Sequence, residues 1–220
     1  PWVGLWVAAL LPAVVGGMAE DATQRLTVRW RLLLSGVTAL LAVVLLGLSV
    51  PRLDLPWLDG LMQMAPWLGT AIALLAVTGL PHAFNIIDGY NGLAGAVALA
   101  VCLALTHVAL QVGDRGLAVM VVCTAGATVG FLVWNYPRGM LFAGDGGAYV
   151  WGVVIAIASI SLVQRNPEVS PWFPVLLLIY PVWETMFSIY RKLARGVSPG
   201  VADALHFHQL IYRRIVRQVF

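Results

Sequence analysis

Seven apolar runs, each close to the roughly 20 residues that an α-helix needs to cross a bilayer, constrain the fold of this chain more than any other feature. The chain is 60% hydrophobic and 10% charged, whereas about 25% of the residues in a typical soluble domain are charged. Backbone groups in lipid must be hydrogen-bonded inside the chain, and the residue alternation of membrane β-strands is missing here. The pattern predicts an all-α polytopic membrane bundle with spans over residues 1–18, 32–50, 66–83, 93–112, 116–134, 146–163 and 171–190.

The two ends of the sequence lie in or beside apolar segments. The first run begins at Pro1, which is not an initiating residue, and the chain stops at Phe220 just after a basic stretch. No polar stretch between the runs is long enough to form a soluble domain. We therefore expect residues 1–220 to be a single membrane domain that is a fragment of a longer protein.

Positive charge is distributed unevenly between the two sides of the predicted bundle. If the runs cross the membrane alternately, the segments 19–31, 84–92, 135–145 and 191–220 share one side. Ten of the thirteen Lys and Arg residues lie in these segments. Because cytoplasmic loops carry an excess of Lys and Arg, this side is predicted to be cytoplasmic. The net charge of +3 is thus explained by topology and lipid contact, and nucleic acid is not expected as a partner.

The unusual polar residues fall on the same predicted side. Acids, amides and histidines there occupy four separate segments, whereas the opposite loops carry only scattered acids. Four such segments at one boundary predict a site at the cytoplasmic surface. Its candidate residues are Glu20, Asp21, Asn85, Asp88, Asn91, Asn135, Asp145, His206 and His208.

Two of these acids are flanked by glycines and permit two interpretations. Asp88 is followed by Gly89, and Asp145 lies within Gly144–Gly147. Taken alone, each is typical of a helix cap or turn. The second segment also holds the aromatic Phe142, and glycines around its acid would let a phosphate and its ion approach the backbone. This combination favours a metal or phosphate site.

The remaining polar pairs also have plain structural readings. Glu20-Asp21 could be a solvated pair at the membrane surface. His206 and His208 lie in a basic segment that could contact anionic lipid or hold a diphosphate. A zinc site is disfavoured, because no Cys is near and only two His are close together.

Several residues inside the predicted spans have expected structural roles. Pro81 and Pro181 are expected to kink or end helices. His82 is expected to hydrogen-bond within the bundle. Glu184 lies at membrane depth, where an acid should be paired or functional, and Arg191 is a candidate partner on the same helix face.

Four segments, in this order, resemble the loops of the polyprenyl-phosphate N-acetylhexosamine-1-phosphate transferases, and the resemblance covers nearly all 220 residues. One such motif is a weak signal, whereas four in order on one predicted face are specific. They are Glu20-Asp21 with Val28-Arg29 and Arg31-Leu32, similar to an Asp-Asp segment; Asn85-Ile-Ile-Asp88-Gly89, similar to Asn-x-x-Asp-Gly; Asn135 with Phe142-Ala-Gly-Asp145, similar to Phe-Met-Gly-Asp and its upstream Asn; and His206-Phe-His208-Gln209, similar to a His-rich loop.

The resemblance implies transfer of a sugar-1-phosphate from a UDP-sugar to undecaprenyl phosphate, with release of UMP, at the start of lipid-linked cell-envelope glycan synthesis such as that of O-antigen. It implies Mg²⁺, or Mn²⁺ in its place, as cofactor, and a multi-pass location in the bacterial inner membrane. The family has additional helices before its Asp-Asp segment, so the expected fragment lacks N-terminal helices and a C-terminal segment. The sugar, the glycan pathway and a homodimeric state are left open.

The resemblance also implies roles for individual residues. Asp145 and Asp88 are expected to hold the metal, and Asp88 also to shape the nucleotide site. Asp21, with Glu20, is expected to orient or deprotonate the acceptor phosphate. The expected substrate-binding residues are Asn85, Asn91 and Asn135, then Phe142 stacking on uracil, and His206 and His208 binding phosphate.

Three positions depart from the family pattern, and all concern the metal shell. Glu20 replaces an Asp, Asn91 stands where many members have a second Asp, and Gln209 replaces a His.

Direct attack by the lipid phosphate is the preferred route, and a covalent aspartyl intermediate is the alternative. A different class of function, an ion-coupled transporter with a midplane site at Asp88 and Glu184, is disfavoured because the acids cluster at one boundary.

Overall fold

The computed structural model describes residues 2–198, 200–201 and 205–216, which are helical and contain no strand. Long apolar runs without polar interruption form the long helices, as lipid requires. The helices are α1 (Trp2–Thr23), α2 (Val28–Leu46), α3 (Pro56–Met64), α4 (Trp67–Ile87), α5 (Leu93–Gln111), α6 (Arg115–Asn135), α7 (Gly144–Arg165), α8 (Trp172–Leu177), α9 (Ile179–Ala194) and α10 (Phe207–Ile211), followed by a π-helical turn, Tyr212–Val216.

Six of the described helices, α1, α2 and α4–α7, are long and apolar enough to cross a membrane. The seventh predicted span, 171–190, is instead divided into α8 and α9 at Leu178. Pro181 has no N–H to donate to the carbonyl four residues earlier, which accounts for a break at this point. Pro81 was likewise predicted to kink or end its helix; it does not end α4, which continues through it to Ile87.

Most helices reach further toward the predicted site than the apolar runs do. Glu20 and Asp21 lie in the last turn of α1, and Asn85 lies in the last turn of α4. Asn135 is the last residue of α6, and Asp145 is the second residue of α7. The candidate residues predicted to be in loops are therefore largely on helix ends, where the backbone positions side chains more firmly than a loop does.

The central element of the bundle is α7, which is buried along most of its length. It packs against α1 and α4, while α5 pairs with α6, α1 pairs with α2, and α9 packs on α4. Small residues allow the closest approaches, as in many membrane helix pairs. A Cβ added to Gly17 would lie 2.7 Å from the Cα of Gly146, and one added to Gly152 would collide with the backbone of Pro81.

Near the C-terminal end of α7, side-chain hydrogen bonds join the neighbouring loops to one another. Arg52 binds Asp54 at 2.8 Å and donates to the carbonyl oxygens of Pro167 and Val169. Gln164 bonds to the backbone after α2, accepting from Ser49 N–H and donating to the carbonyl of Gly47. The predicted 51–65 loop contains the short helix α3, which apolar-run length did not reveal.

Candidate functional site

The start of α7 is the meeting point of three helices through one carboxylate. Asp145 Oδ2 accepts a hydrogen bond from Arg31 Nη1 of α2 at 2.5 Å, and its Oδ1 accepts one from Asn85 Nδ2 of α4 at 2.6 Å. The Asp145 side chain is 16% exposed. A charged guanidinium and an amide thus hold the carboxyl group at a fixed position near the bundle surface.

The N-terminus of α7 is capped by a side chain from another helix, that of Asp21 in α1. Its Oδ1 and Oδ2 accept hydrogen bonds from the backbone N–H groups of Asp145 (2.8 Å) and Gly146 (2.9 Å). Ala143, at the N-cap position, has no side chain able to do this. Gly144 has φ +62°, and a Cβ there would lie 2.6 Å from both Asp21 oxygens. A negative charge at a helix N-terminus is stabilising, so Asp21 fixes the position from which Asp145 projects.

Glu20 serves a different element from its neighbour. Its Oε2 accepts a hydrogen bond from the N–H of Leu26 at 2.8 Å, which closes the turn between α1 and α2. The two adjacent acids therefore point to different backbone segments. Their predicted action on an acceptor phosphate stays a prediction, and in this structure each carries a backbone contact that sequence reading did not reveal.

Asn135 and Asn91 hold two connections together. Asn135 is 3% exposed, accepts from Gly92 N–H at 2.5 Å and donates to the carbonyl of Leu141 at 2.7 Å. Asn91 donates to the carbonyl of Pro137 at 3.2 Å. These bonds join the α4–α5 turn to the α6–α7 loop. The predicted substrate contacts of both amides stay predictions, and the geometry gives them a positioning role.

Asp88 caps the C-terminus of α4 and lies near Asp145. Burial, with the negative charge of Asp145 as the smaller cause, raises the pKa of Asp88 to about 6. Among the described residues no hydrogen bond reaches its side chain. A carboxylate whose ionised form is disfavoured by desolvation and a like charge is one that a cation would stabilise.

The donor chemistry here fits a hard divalent cation. Asp88 and Asp145 offer carboxylate oxygens, the ligands that Mg²⁺ prefers. The described part of the chain contains no cluster of three or more His, Cys, Asp or Glu that could hold a metal ion. A site of one or two carboxylates completed by substrate phosphates matches this donor set, whereas an all-protein cage does not.

Phe142 lies on the α6–α7 loop and is 71% exposed. Its neighbours Met140 and Leu141 are also exposed. The ring is therefore free to meet a planar group, and its predicted stacking on uracil stays a prediction.

The histidine segment docks on both α9 and the turn after Asp88. His206 Nδ1 lies 2.9 Å from Glu184 Oε1. His208 is buried, contacts the Tyr90 ring edge-on, and has its Nε2 directly above Gly89. Burial, followed by His206, lowers the pKa of His208. The structure thus brings the histidine segment to one of the other three segments, the turn after Asp88, and the binding of phosphate by the histidines stays a prediction.

Sequence reading missed two partners. Arg31 was counted as a topological charge, yet it binds Asp145. Arg191 was the expected partner of Glu184, but it donates to the carbonyl of Leu205 at 2.7 Å while Glu184 binds His206. The sequence marked Glu184 as unusual because it is an acid at membrane depth. Nothing in the neighbouring sequence indicated that His206 is its partner.

Hydrogen bonds between polar side chains inside the bundle join α2, α4 and α7 near the start of α7. His82 Nε2 lies 3.0 Å from Ser35 Oγ, and its Nδ1 lies 3.2 Å from the hydroxyl of Tyr149. Ser35 in turn donates to the carbonyl of Arg31 at 3.0 Å. The prediction that His82 hydrogen-bonds within the bundle is confirmed.

Comparisons with known proteins find a family and relatives that match most of this chain. The model of glycosyl transferase family 4 matches residues 2–163. The chain is 26% identical over 196 residues to a probable undecaprenyl-phosphate N-acetylglucosaminyl 1-phosphate transferase of Bacillus subtilis, covering 89% of this chain and 54% of that protein. It is 24% identical over 218 residues to the undecaprenyl-phosphate alpha-N-acetylglucosaminyl 1-phosphate transferase of Yersinia pestis, covering 97% and 59%.

A third relative, the Thermotoga maritima undecaprenyl-phosphate alpha-N-acetylglucosaminyl 1-phosphate transferase, is 29% identical over 137 residues, covering 62% of this chain and 41% of that protein. The chain spans about half the length of the curated relatives it matches. The matched family region contains α1 to α6 and all but the last two residues of α7, and so includes Asp21, Asp88 and Asp145.

Proposed function

Because this chain belongs to glycosyl transferase family 4, we propose that it transfers a HexNAc-1-phosphate from a UDP-sugar to undecaprenyl phosphate and releases UMP. It is a multi-pass membrane protein. The observation that carries the proposal is the convergence on Asp145, where side chains of α1, α2 and α4 all bind the start of α7. Relatives named as undecaprenyl-phosphate N-acetylglucosaminyl 1-phosphate transferases match 89% and 97% of the chain, which supports the proposal.

A site at a helix-end boundary suits two substrates that arrive by different routes. A polyprenyl phosphate lies in the bilayer with its phosphate at the interface, and a nucleotide sugar is water-soluble. Asp21, Asp88 and Asp145 all lie at helix ends, where both can meet. We place this end on the cytoplasmic side, from the excess of Lys and Arg in its segments.

The chemistry follows from the charges of the substrates. An oxygen of the lipid phosphate attacks the phosphorus that carries the sugar, and the bond from that phosphorus to the bridging oxygen of the diphosphate breaks, so UMP leaves. Such a step depends on positioning and on neutralising phosphate charge more than on covalent help from the protein. Direct attack by the lipid phosphate forms no aspartyl intermediate. The Asp21 carboxylate instead caps α7 by accepting hydrogen bonds from two backbone N–H groups.

Each nearby side chain has a proposed part. Asp145 and Asp88 would hold Mg²⁺, which when bound would offset the negative charge of the diphosphate. Arg31 orients Asp145 through a hydrogen bond to its Oδ2. His206 would bind a phosphate oxygen, and Phe142 would cover the uracil ring.

The transporter alternative is not supported. The relatives are transferases by name. The buried acid Glu184 is bound to His206 and to the N–H of Phe207, so it is committed to the His-containing segment.

The test is UMP release with a panel of radiolabelled UDP-sugars and undecaprenyl phosphate. Membranes carry either this chain or a form extended to the length of the curated relatives. We expect UMP release and labelled lipid that depend on both substrates, and the panel identifies the sugar. The proposal fails if neither form, present in the membrane at normal amounts, releases UMP from any sugar.

A further inference from the structure

Glu184 is a buried acid on α9 whose two oxygens both bind the same short segment. The residue is 2% exposed. Its Oε1 lies 2.9 Å from His206 Nδ1, and its Oε2 accepts a hydrogen bond from the N–H of Phe207 at 3.0 Å. One carboxylate thus holds both the side chain that precedes α10 and the first backbone N–H of that helix.

Two further residues on the same face of α9 bind the same segment. Ser188 Oγ lies 3.1 Å from His206 Nδ1. Arg191 donates to the carbonyl of Leu205 at 2.7 Å and to Ser188 Oγ at 3.3 Å. Residues 184, 188 and 191 are spaced four and three apart, so they form one stripe of the helix. This stripe binds residues 205–207 along its length.

The other side of the segment rests on the turn that follows Asp88. The rings of His206 and His208 are stacked at 5.7 Å, and His208 meets Tyr90 edge-on at 5.4 Å. Gly89 has no side chain, and a Cβ there would collide with His208 Nε2. The histidine segment therefore lies between α9 and the turn that carries Asp88.

A buried acid is costly unless it is paired and hydrogen-bonded. An apolar side chain would fill the same space on α9 without that cost. Glu184 instead binds the segment of His206 and Phe207, which lies 22 and 23 positions later in the chain. Because Glu184 and Ser188 both engage His206 Nδ1, the ring is held with Nε2 as the nitrogen left for a phosphate oxygen.

We infer that Glu184 is a positioning residue that fixes the orientation of His206 for the transfer reaction. The inference rests on the proposed function, since it assigns the oriented ring to a substrate phosphate. Glu184 touches no substrate; it acts through His206 and through the N–H of Phe207.

The anchoring is tested without any activity measurement, by hydrogen–deuterium exchange of the purified full-length protein. The N–H of Phe207 is bonded to Glu184, so Glu184→Ala should increase exchange in peptides that cover 205–211. Glu168→Gln, which changes an exposed acid at the other end of the bundle, is the matched control and should leave that exchange unchanged. Unchanged exchange in Glu184→Ala would overturn the anchoring.

The effect on the reaction is tested by a double-mutant cycle measured as kcat/KM for UMP release. Misplacing a group by about 1 Å can cost on the order of 100-fold, and we expect Glu184→Ala to cost about 10- to 100-fold. Glu184→Gln keeps one carbonyl oxygen and should cost less. In a His206→Ala background the Glu184→Ala change should cost less than about threefold, because the group it positions is gone.

Equal losses from Glu184→Ala with and without His206 would show a general structural role and overturn the inference. If the unchanged enzyme releases no UMP, the assignment to this reaction fails together with the proposed function. The exchange experiment still decides whether Glu184 anchors the segment.

Discussion

The two ends of α7 each pair an Asp with an Arg, yet only one end has the features of a site. At the start, Asp145 is on α7 itself, is 16% exposed, and is bound by Arg31 at 2.5 Å and by Asn85. At the close, Asp114 is 14% exposed, lies 3.4 Å from Arg165, which is 39% exposed, and accepts a hydrogen bond from the N–H of Leu117. Both acids are shielded, so what distinguishes the start of α7 is that side chains of α1, α2 and α4 all bind it.

Side-chain size adds a second difference. The start of α7 contains Gly144 and Gly146, where an added Cβ would lie 2.6 Å and 3.2 Å from oxygens of Asp21. At the close, the side chains of Gln164 and Asn166 bond to nearby backbone groups. Small residues at the first end therefore let the Asp21 cap approach, whereas the second end is held by its own polar side chains.

The largest expected effect distinguishes the two ends directly. Asp145→Asn keeps the size of the side chain but removes its charge, and losing electrostatic stabilisation of this kind costs about 10²–10³ in rate. Asp114→Asn is the matched change at the other end and should leave the rate within about twofold, because its ion pair is with the exposed Arg165 and such pairs contribute little. The measurement is UMP release at saturating Mg²⁺ and equal membrane expression. Similar losses in both variants would remove the distinction between the ends.

The next effect concerns the cap from α1. Asp21→Ala removes the acceptor for two N–H groups of α7, which should destabilise the protein by about 0.5–2 kcal/mol and lower kcat on the order of tenfold because Asp145 shifts. Asp59→Ala is a suitable control, since Asp59 accepts from the N–H of Leu53 at the opposite end. We expect it to reduce thermal stability alone. An Asp21→Ala enzyme with normal turnover would contradict a link between cap and site.

A smaller effect is expected from a single added methyl group. Gly89→Ala places a Cβ against His208 Nε2, so the histidine segment must move. We expect a several-fold increase in KM for the nucleotide sugar with little change in stability. Gly60→Ala has open space around it and should change neither quantity. A normal KM in Gly89→Ala would show that contact between this turn and His208 is not needed.

The smallest effect is expected at Glu20. Glu20→Gln keeps a carbonyl oxygen for the N–H of Leu26, and we expect a loss of UMP release of less than about threefold, since a typical neutral hydrogen bond contributes about 1 kcal/mol. A loss as large as that of Asp145→Asn would restore Glu20 as a direct participant in the chemistry.

Much of this comparison could be predicted from the sequence. Apolar run length predicted six of the long helices, and the crossing parity predicted which polar segments meet. These features depend on local composition and on the length that a bilayer imposes. The role of Asp145 as a metal ligand stays a prediction.

The pairings could not be predicted, because they join residues far apart in the chain. Arg31 and Asp145 are separated by 114 positions, and nothing local marks either as the partner of the other. Glu184 was recognised as unusual, but the helix-face argument pointed to Arg191 because only neighbours on one helix can be read from spacing. The break at Leu178 follows from Pro181, whereas α4 continues through Pro81, whose backbone packs closely against Gly152.

The most direct test of the central claim is to map where the nucleotide sugar binds. A photoreactive UDP-sugar is cross-linked to the protein in membranes, and the labelled peptides are identified by mass spectrometry. The account predicts labels in 84–92, 136–146 and 205–211, competed by unlabelled UDP-sugar. Competed labels at the other end of the bundle, in 47–56, 112–116 or 166–171, would contradict it.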